Sequence, residues 1–271
     1  MADERAIGIF DSGLGGLTVA KEIISKLPSE NIVYFGDTGR VPYGNRSRET
    51  IIKYAAQDEA FLLKQDVKLI VAACGTVSSV ARDSAKKLPV PFFEVLSHSV
   101  EAALKATRNK KIGVIGTCAT INSGEHKRLI LEKMPDAEVF CVGCTLFVPL
   151  VEAGWYDAED EVVFKTVERY LLPLKEAGVD TIILGCTHYP VLSKAIEKVM
   201  GSGVVQINAG VAVADAVSQY LQKEQLSNLS GKTGKHKFFV SDKPMSFSKI
   251  ASVLLGENID GEKIEQVDIE K

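Results

Sequence analysis

The sequence predicts an α/β fold of two pseudosymmetric lobes, each a mainly parallel sheet flanked by helices, with a ligand cleft between them. Three observations carry this. Short apolar runs alternate with helix-period segments, the pattern of strands joined by helical crossovers. One plan occurs twice: Leu69-Ile-Val-Ala-Ala-Cys74-Gly-Thr76 and Thr181-Ile-Ile-Leu-Gly-Cys186-Thr187-His188 are both buried-type strands ending in a cysteine and a small residue. The chain has 271 residues with 46% apolar and 25% charged side chains, ordinary for a globular protein and enough for one large domain or two modest ones.

Taken in order, the expected strands are Ala6–Phe10, Asn31–Phe35, Leu69–Ala73, Phe92–Val95, Lys111–Ile115, Ala137–Val142, Thr181–Leu184, Val204–Ile207 and, near the C-terminus, Lys237–Ser241. Helices are expected over Thr18–Lys26, Arg48–Lys64, Ser123–Lys133, Glu159–Glu176, Val191–Val199 and Val211–Lys223. In Glu159–Glu176, the residues Val162, Val163, Val167, Tyr170, Leu171 and Leu174 read as a core-facing stripe. A strand in each half runs into a turn rich in glycine and hydroxyls, Asp11-Ser-Gly-Leu-Gly-Gly16 in one and Gly116-Thr-Cys-Ala-Thr-Ile-Asn-Ser-Gly124 in the other. This echo suggests a first lobe of residues 1–97 plus 209–271 carrying Cys74, and a second of 98–208 carrying Cys186.

Several function classes are disfavoured. A net charge of −3 without a basic block argues against nucleic acid as a partner. No apolar run reaches the roughly 20 residues that cross a bilayer, and Ala6–Phe10 is too short for a signal-peptide core. A cytoplasmic location is expected. Five cysteines in such a chain do not suggest a disulfide framework. Cys141 and Cys144 form a C-x-x-C, but no second ligand pair accompanies it, so no metal is expected and Cys141 reads as a small buried residue in a strand. The Asp11–Gly16 turn lacks both the P-loop ending and the dinucleotide spacing, which disfavours a nucleotide.

Ligands of open α/β sheets bind beyond the carboxyl ends of the strands. A thiol there meets helix N–H groups that favour the thiolate, so one cysteine can act as base and its counterpart as acid. Two such groups facing each other across a cleft suit the inversion of a carbon centre, with removal from one face and delivery to the other. Fixed donors would stabilise the intervening carbanion. Ser12, Thr76, Thr117, Thr120 and Thr187 supply hydroxyls at the right turns.

Asp11-Ser-Gly-Leu-Gly-Gly, Phe35-Gly-Asp-Thr-Gly-Arg-Val-Pro-Tyr-Gly44, Phe147-Val-Pro-Leu-Val-Glu-Ala-Gly154 and Gly185-Cys-Thr-His-Tyr-Pro190 together resemble the glutamate racemases, in order, from about Ile7 to Ala214. The resemblance implies a cofactor-independent amino-acid racemase supplying D-glutamate for peptidoglycan, working as a homodimer. It implies Cys74 and Cys186 as the acid/base pair, Asp11 as a further catalytic residue at the substrate's amino end, and Glu152 and His188 as groups that assist proton traffic. It also implies substrate contacts from Asp11, Ser12, Pro42, Tyr43, Gly44, Gly75, Thr76, Thr117, Thr120, Thr187 and His188. Asp37 lies in a matching motif and reads either as a site residue or as the organiser of the turn leading to Pro42.

The chain departs from the family where Cys-Asn-Thr is usual: here it reads Cys74-Gly75-Thr76. Val77 and Ser79 replace smaller residues, and His126 stands where a tyrosine is common. An altered substrate preference follows as an expectation. The alternatives are an aspartate or other amino-acid racemase of the superfamily and a non-catalytic binding protein on this scaffold. A one-cysteine decarboxylase and a pyridoxal-phosphate racemase fit less well, because both cysteines are present and no motif marks a Schiff-base lysine.

Overall fold

A computed structural model describes residues 3–81, 84–243, 247–256 and 264–269. Among the described residues ten strands form two sheets, all of whose pairings are parallel. The strands are β1 (Ala6–Asp11), β2 (Ile32–Gly36), β3 (Val67–Ala72), β4 (Phe92–Glu94), β5 (Lys111–Gly116), β6 (Glu138–Gly143), β7 (Thr181–Leu184), β8 (Val205–Asn208), β9 (His236–Val240) and β10 (Ile264–Gln266). Their orders are β10-β9-β2-β1-β3-β4 and β6-β5-β7-β8. The run β2-β1-β3-β4 therefore has the same topology as β6-β5-β7-β8, with β1 matching β5 and β3 matching β7. In each sheet the chain reverses its direction of winding between that matched pair, and the reversal opens a crevice at the strand ends. Asp11 and Cys74 stand at one crevice, Gly116 and Cys186 at the other.

The helices are α1 (Leu17–Lys26), α2 (Arg48–Leu63), α3 (Gly75–Val80), α4 (Val95–Ala106), α5 (Cys118–Asn122), α6 (Glu125–Lys133), α7 (Phe147–Glu152), α8 (Glu161–Glu176), α9 (Ser193–Met200), α10 (Ala209–Lys223) and α11 (Phe247–Leu255). Their limits have local causes. Ser47 Oγ accepts from the Thr50 N–H to start α2, and Asp160 Oδ1 accepts from Val162 and Val163 to start α8. Gly124, at φ +70°, separates α5 from α6, so the expected helix Ser123–Lys133 begins at Glu125. Helix α4 carries the chain from the six-stranded sheet to the four-stranded one, and α10 returns it; the two pack together, with α1 on the other side of α10. One apolar core runs through both sheets, from Ile7, Ile9 and Leu69 to Ile182 and Leu184.

Two expectations about burial need correction. Val163, Val167, Leu171 and Leu174 do face the core, but Val162 is 53% exposed, because one residue of helix turns it off that face. Cys141 is exposed rather than buried, since β6 lies at the edge of its sheet. Strand β10 and helices α3, α4, α5, α7 and α11 add to the expected elements. The ends of the expected first lobe lie outside the described residues.

Candidate active site

All the expected site residues line one cavity of about 470 Å³ where the two sets of strand ends meet. Asp11, Ser12, Cys74, Gly75 and Thr76 come from the ends of β1 and β3, with Pro42, Tyr43 and Gly44 from the loop after β2. Thr117 and Thr120 follow β5, Glu152 ends α7, and Cys186, Thr187 and His188 follow β7. The lining also includes Val41, Asn45, Cys118, Cys144, Val148 and Pro149, which the sequence reading did not select. Val148 and Pro149 belong to a motif already singled out. Cys144 shares a C-x-x-C with the exposed Cys141, but alternation along β6 turns the two apart, and Cys144 reaches the cavity.

Close glycine contacts bring the halves together. The Gly75 backbone lies against the Gly185 carbonyl, so that a Cβ at 75 would stand 2.3 Å from that oxygen. A Cβ at Gly15 would stand 2.1 Å from Thr187 Oγ1. Thr18 Oγ1 donates to the Thr187 carbonyl at 2.8 Å, and Thr76 Oγ1 lies 3.2 Å from Thr117 Oγ1. Thr120 Oγ1 completes a cross-cleft hydroxyl cluster, 3.0 Å from Thr117 and 3.5 Å from Thr76.

The two cysteines sit in different electrostatic surroundings. Cys74 Sγ donates to Ser12 Oγ at 3.3 Å. Burial first, then the nearby Asp11, push its thiol up to about 12. This corrects the expectation of a lowered pKa here: the N–H groups of α3 do not outweigh the loss of solvent. Cys186 Sγ lies 3.9 Å from His188 Nδ1, and His188 Nε2 lies 3.1 Å from Glu152 Oε1. Burial opposes a charge on His188, but its hydrogen bonds to Cys186 and Glu152 prevail and hold it up at about 10. The imidazole is therefore protonated at neutral pH.

Asp11 does not cap α1, whose first turn follows Gly16. Its Oδ2 accepts from the Gly13 N–H at 3.0 Å, while Oδ1 is buried with no partner in hydrogen-bonding geometry among the described residues. Burial raises the Asp11 carboxyl, and the positive His188 partly offsets this. Asp37 is buried behind the cavity and organises its loop, accepting from Arg40 Nε at 2.6 Å and Ser241 Oγ at 2.8 Å. His126, which stands where the family commonly has a tyrosine, is buried under Gly185, and burial pulls it down to about 4, so it stays neutral. Among the described residues no three His, Cys, Asp or Glu side chains are grouped as a metal site, and no helix is long and apolar enough to cross a membrane.

Comparison with known proteins agrees with this architecture. The family model of the Asp/Glu/hydantoin racemases matches residues 19–226. A glutamate racemase of Syntrophus aciditrophicus is 44% identical over 256 residues, 94% of each chain. One from Thermoanaerobacter pseudethanolicus is 44% identical over 99% of each. The crystal structure of the Francisella tularensis glutamate racemase in complex with D-glutamate superposes with a TM-score of 0.91 at 36% identity, covering 99% of both chains. With paired crevices built on matching topologies and similarity that runs from end to end, the chain belongs to the Asp/Glu/hydantoin racemase family, among its glutamate racemases.

Proposed function

We propose that this protein interconverts L- and D-glutamate without a cofactor, by proton transfer between Cys74 and Cys186, and thereby supplies D-glutamate for peptidoglycan. The observation that carries this reading is the placement of the two thiols. They occupy equivalent positions in two topologically matched sheets and line the same cavity.

The chemistry follows from the surroundings of each thiol. One sulfur, as thiolate, takes the α-proton of glutamate; the Cα–H bond breaks and its electron pair passes into the α-carboxylate. The opposite thiol then gives its proton to the other face of Cα, so the two sulfurs exchange protonation states and the centre is inverted. In the resting protein Cys74 is the proton holder, since burial keeps its thiol neutral. Cys186 lies 3.9 Å from His188 Nδ1, and His188 Nε2 lies 3.1 Å from Glu152, so the second thiol has a proton-carrying neighbour. Glu152, with 48% of its side chain exposed, gives the pair a route to solvent protons. Asp11, which lines the cavity, suits the substrate ammonium. The hydroxyls of Thr76, Thr117, Thr120 and Thr187 suit its carboxylates, where fixed donors stabilise the charge that builds up.

The test is incubation of purified protein with L- or D-glutamate in deuterated buffer, following optical activity and α-proton exchange. Interconversion with deuterium uptake is expected, and its loss in Cys74→Ala and in Cys186→Ala. Exchange on aspartate alone would assign a different substrate. Silence on both amino acids, from folded protein with reduced thiols, would favour a non-catalytic binding protein.

A further inference from the structure

The Tyr43 ring forms part of the cavity wall and is 1% exposed. Its hydroxyl, however, is engaged with two buried carboxylates, bonding Asp37 Oδ2 and lying 3.0 Å from Asp58 Oδ2. Both aspartate side chains are fully buried. Arg40 lies between them, with Nε on Asp37 Oδ2 at 2.6 Å and Nη2 on Asp58 Oδ1 at 3.1 Å. The guanidinium is 4.1 Å from the centre of the Tyr54 ring, and Nη1 donates to Gln57 Oε1.

Counting protons exposes the role of Asp58. Tyr43 has one hydroxyl hydrogen and two carboxyl neighbours within reach, so it can donate to only one of them. The other contact is a bond only if that carboxyl brings its own proton. Charge leads to the same requirement. Two carboxylates against one guanidinium would leave a negative charge buried away from water, a costly arrangement. Burial, then the proximity of Asp37, raise Asp58 well above the ordinary carboxylate range, and Glu59, beside it on α2, acts in the same direction. Burial also keeps Tyr43 protonated.

Asp58 lies on α2 and reaches the cavity only through Tyr43. The turn Tyr43–Asn45 that Tyr43 anchors carries Gly44 up to Thr117 of the opposite lobe. Building on the glutamate reading, we propose that Asp58 is a positioning residue for substrate binding: as the acid it donates to the Tyr43 oxygen, Tyr43 donates to Asp37, and this chain of bonds sets the Pro42–Gly44 wall against the substrate. Nothing in the proton transfer between the cysteines uses it.

The test compares KM and kcat for glutamate across pH in the parent, Asp58→Asn and Asp58→Ala. Asparagine keeps the shape, donates an N–H to Tyr43 and has no proton to lose. Near neutral pH, Asp58→Asn should keep both constants within about threefold of the parent, and should lack a rise of KM at high pH that the parent shows. Asp58→Ala should raise KM about tenfold, the loss of one buried hydrogen bond, with kcat little changed. Tyr43→Phe should raise KM similarly, and adding Asp58→Ala to it should change little more, because the two act in one chain. Equal losses in the asparagine and alanine variants would overturn the proposal, as would a loss confined to kcat. If Asp58→Ala does not fold, the pH profile of KM in Asp58→Asn against the parent decides. A parent inactive on glutamate rejects the glutamate reading; an active parent with additive, unchanged variants rejects this inference alone.

Discussion

Replacing Gly75 by alanine tests how the two halves meet. The added Cβ would lie 2.3 Å from the Gly185 carbonyl oxygen, against an ordinary contact of 3.4 Å or more, so one backbone must retreat by about 1 Å. Neither can do so alone. The Gly185 N–H is bonded to the Ile115 carbonyl at 2.8 Å, which extends the β5–β7 ladder. The Ala73 N–H is bonded to the Phe10 carbonyl at 2.9 Å, and Cys74 O accepts from Ser78 N at 2.9 Å, which hold the other side. The halves must therefore part at the point that carries Cys74 on one side and Cys186 on the other. A misplacement of about 1 Å at reacting groups costs on the order of 10²-fold in rate, equivalent to about 2.7 kcal/mol. Gly75→Asn meets the same obstacle while adding an amide donor of the kind usual at this position in the family. That donor is worth only about 0.5–1.5 kcal/mol, so the steric loss wins and asparagine does not improve this enzyme. The assay is kcat for glutamate racemisation by circular dichroism, with thermal melts to confirm folding. Gly75→Ala within twofold of the parent, or Gly75→Asn faster than it, would show that the close approach has no catalytic consequence.

Other outcomes are expected on the same reasoning. His188, raised to about 10 in the fold from 6.5, contributes stability that is fully present below pH 6.5 and lost as pH rises through about 10. The stability gap between the parent and His188→Gln in urea melts should therefore narrow across that window; a gap independent of pH would refute the assignment. Cys74, buried and held up at about 12, should resist alkylation at pH 8 while the exposed Cys118 reacts, as read by peptide mass spectrometry. Rapid labelling of Cys74 would contradict the protonation state derived above. Lys68 is fully buried, paired with Glu30 and bonded to the Asp3 and Leu226 carbonyls at 2.9 and 2.7 Å. Lys68→Ala should destabilise the fold by about 3–5 kcal/mol, because it strands a buried carboxylate. A loss below about 1 kcal/mol in denaturant titration would reject that account.

Much of this architecture is written locally. Strands β1 to β9 each coincide, within a few residues, with a run visible in the chain, most sharply β1, β2, β3, β5 and β7, since a strand buried on both faces needs consecutive apolar residues whatever it pairs with. The turns after β1 and β5 and the cysteines after β3 and β7 were legible for the same reason, being set by short stretches of sequence. Short elements such as α3, α5 and β10 left no periodic trace, because a few residues are too few for a pattern and their stability comes from packing.

What depends on groups brought together from distant parts of the chain was decided by the tertiary structure. Nothing next to Cys74 in sequence reveals that burial beside Asp11 keeps its thiol protonated, and the N–H groups at the start of α3 suggested the opposite. Asp58, fifteen residues from Tyr43, meets it only because α2 packs behind the cavity loop. Gly75 reads in the sequence as a missing side chain; in the fold it is the place where the Gly185 carbonyl sits. The sequence by itself determined which residues reach the strand ends, because hydrogen-bonding and side-chain periodicity act over a few residues. Protonation and contact across the cleft had to wait for the fold, because desolvation and steric exclusion depend on every atom nearby, however far apart along the chain.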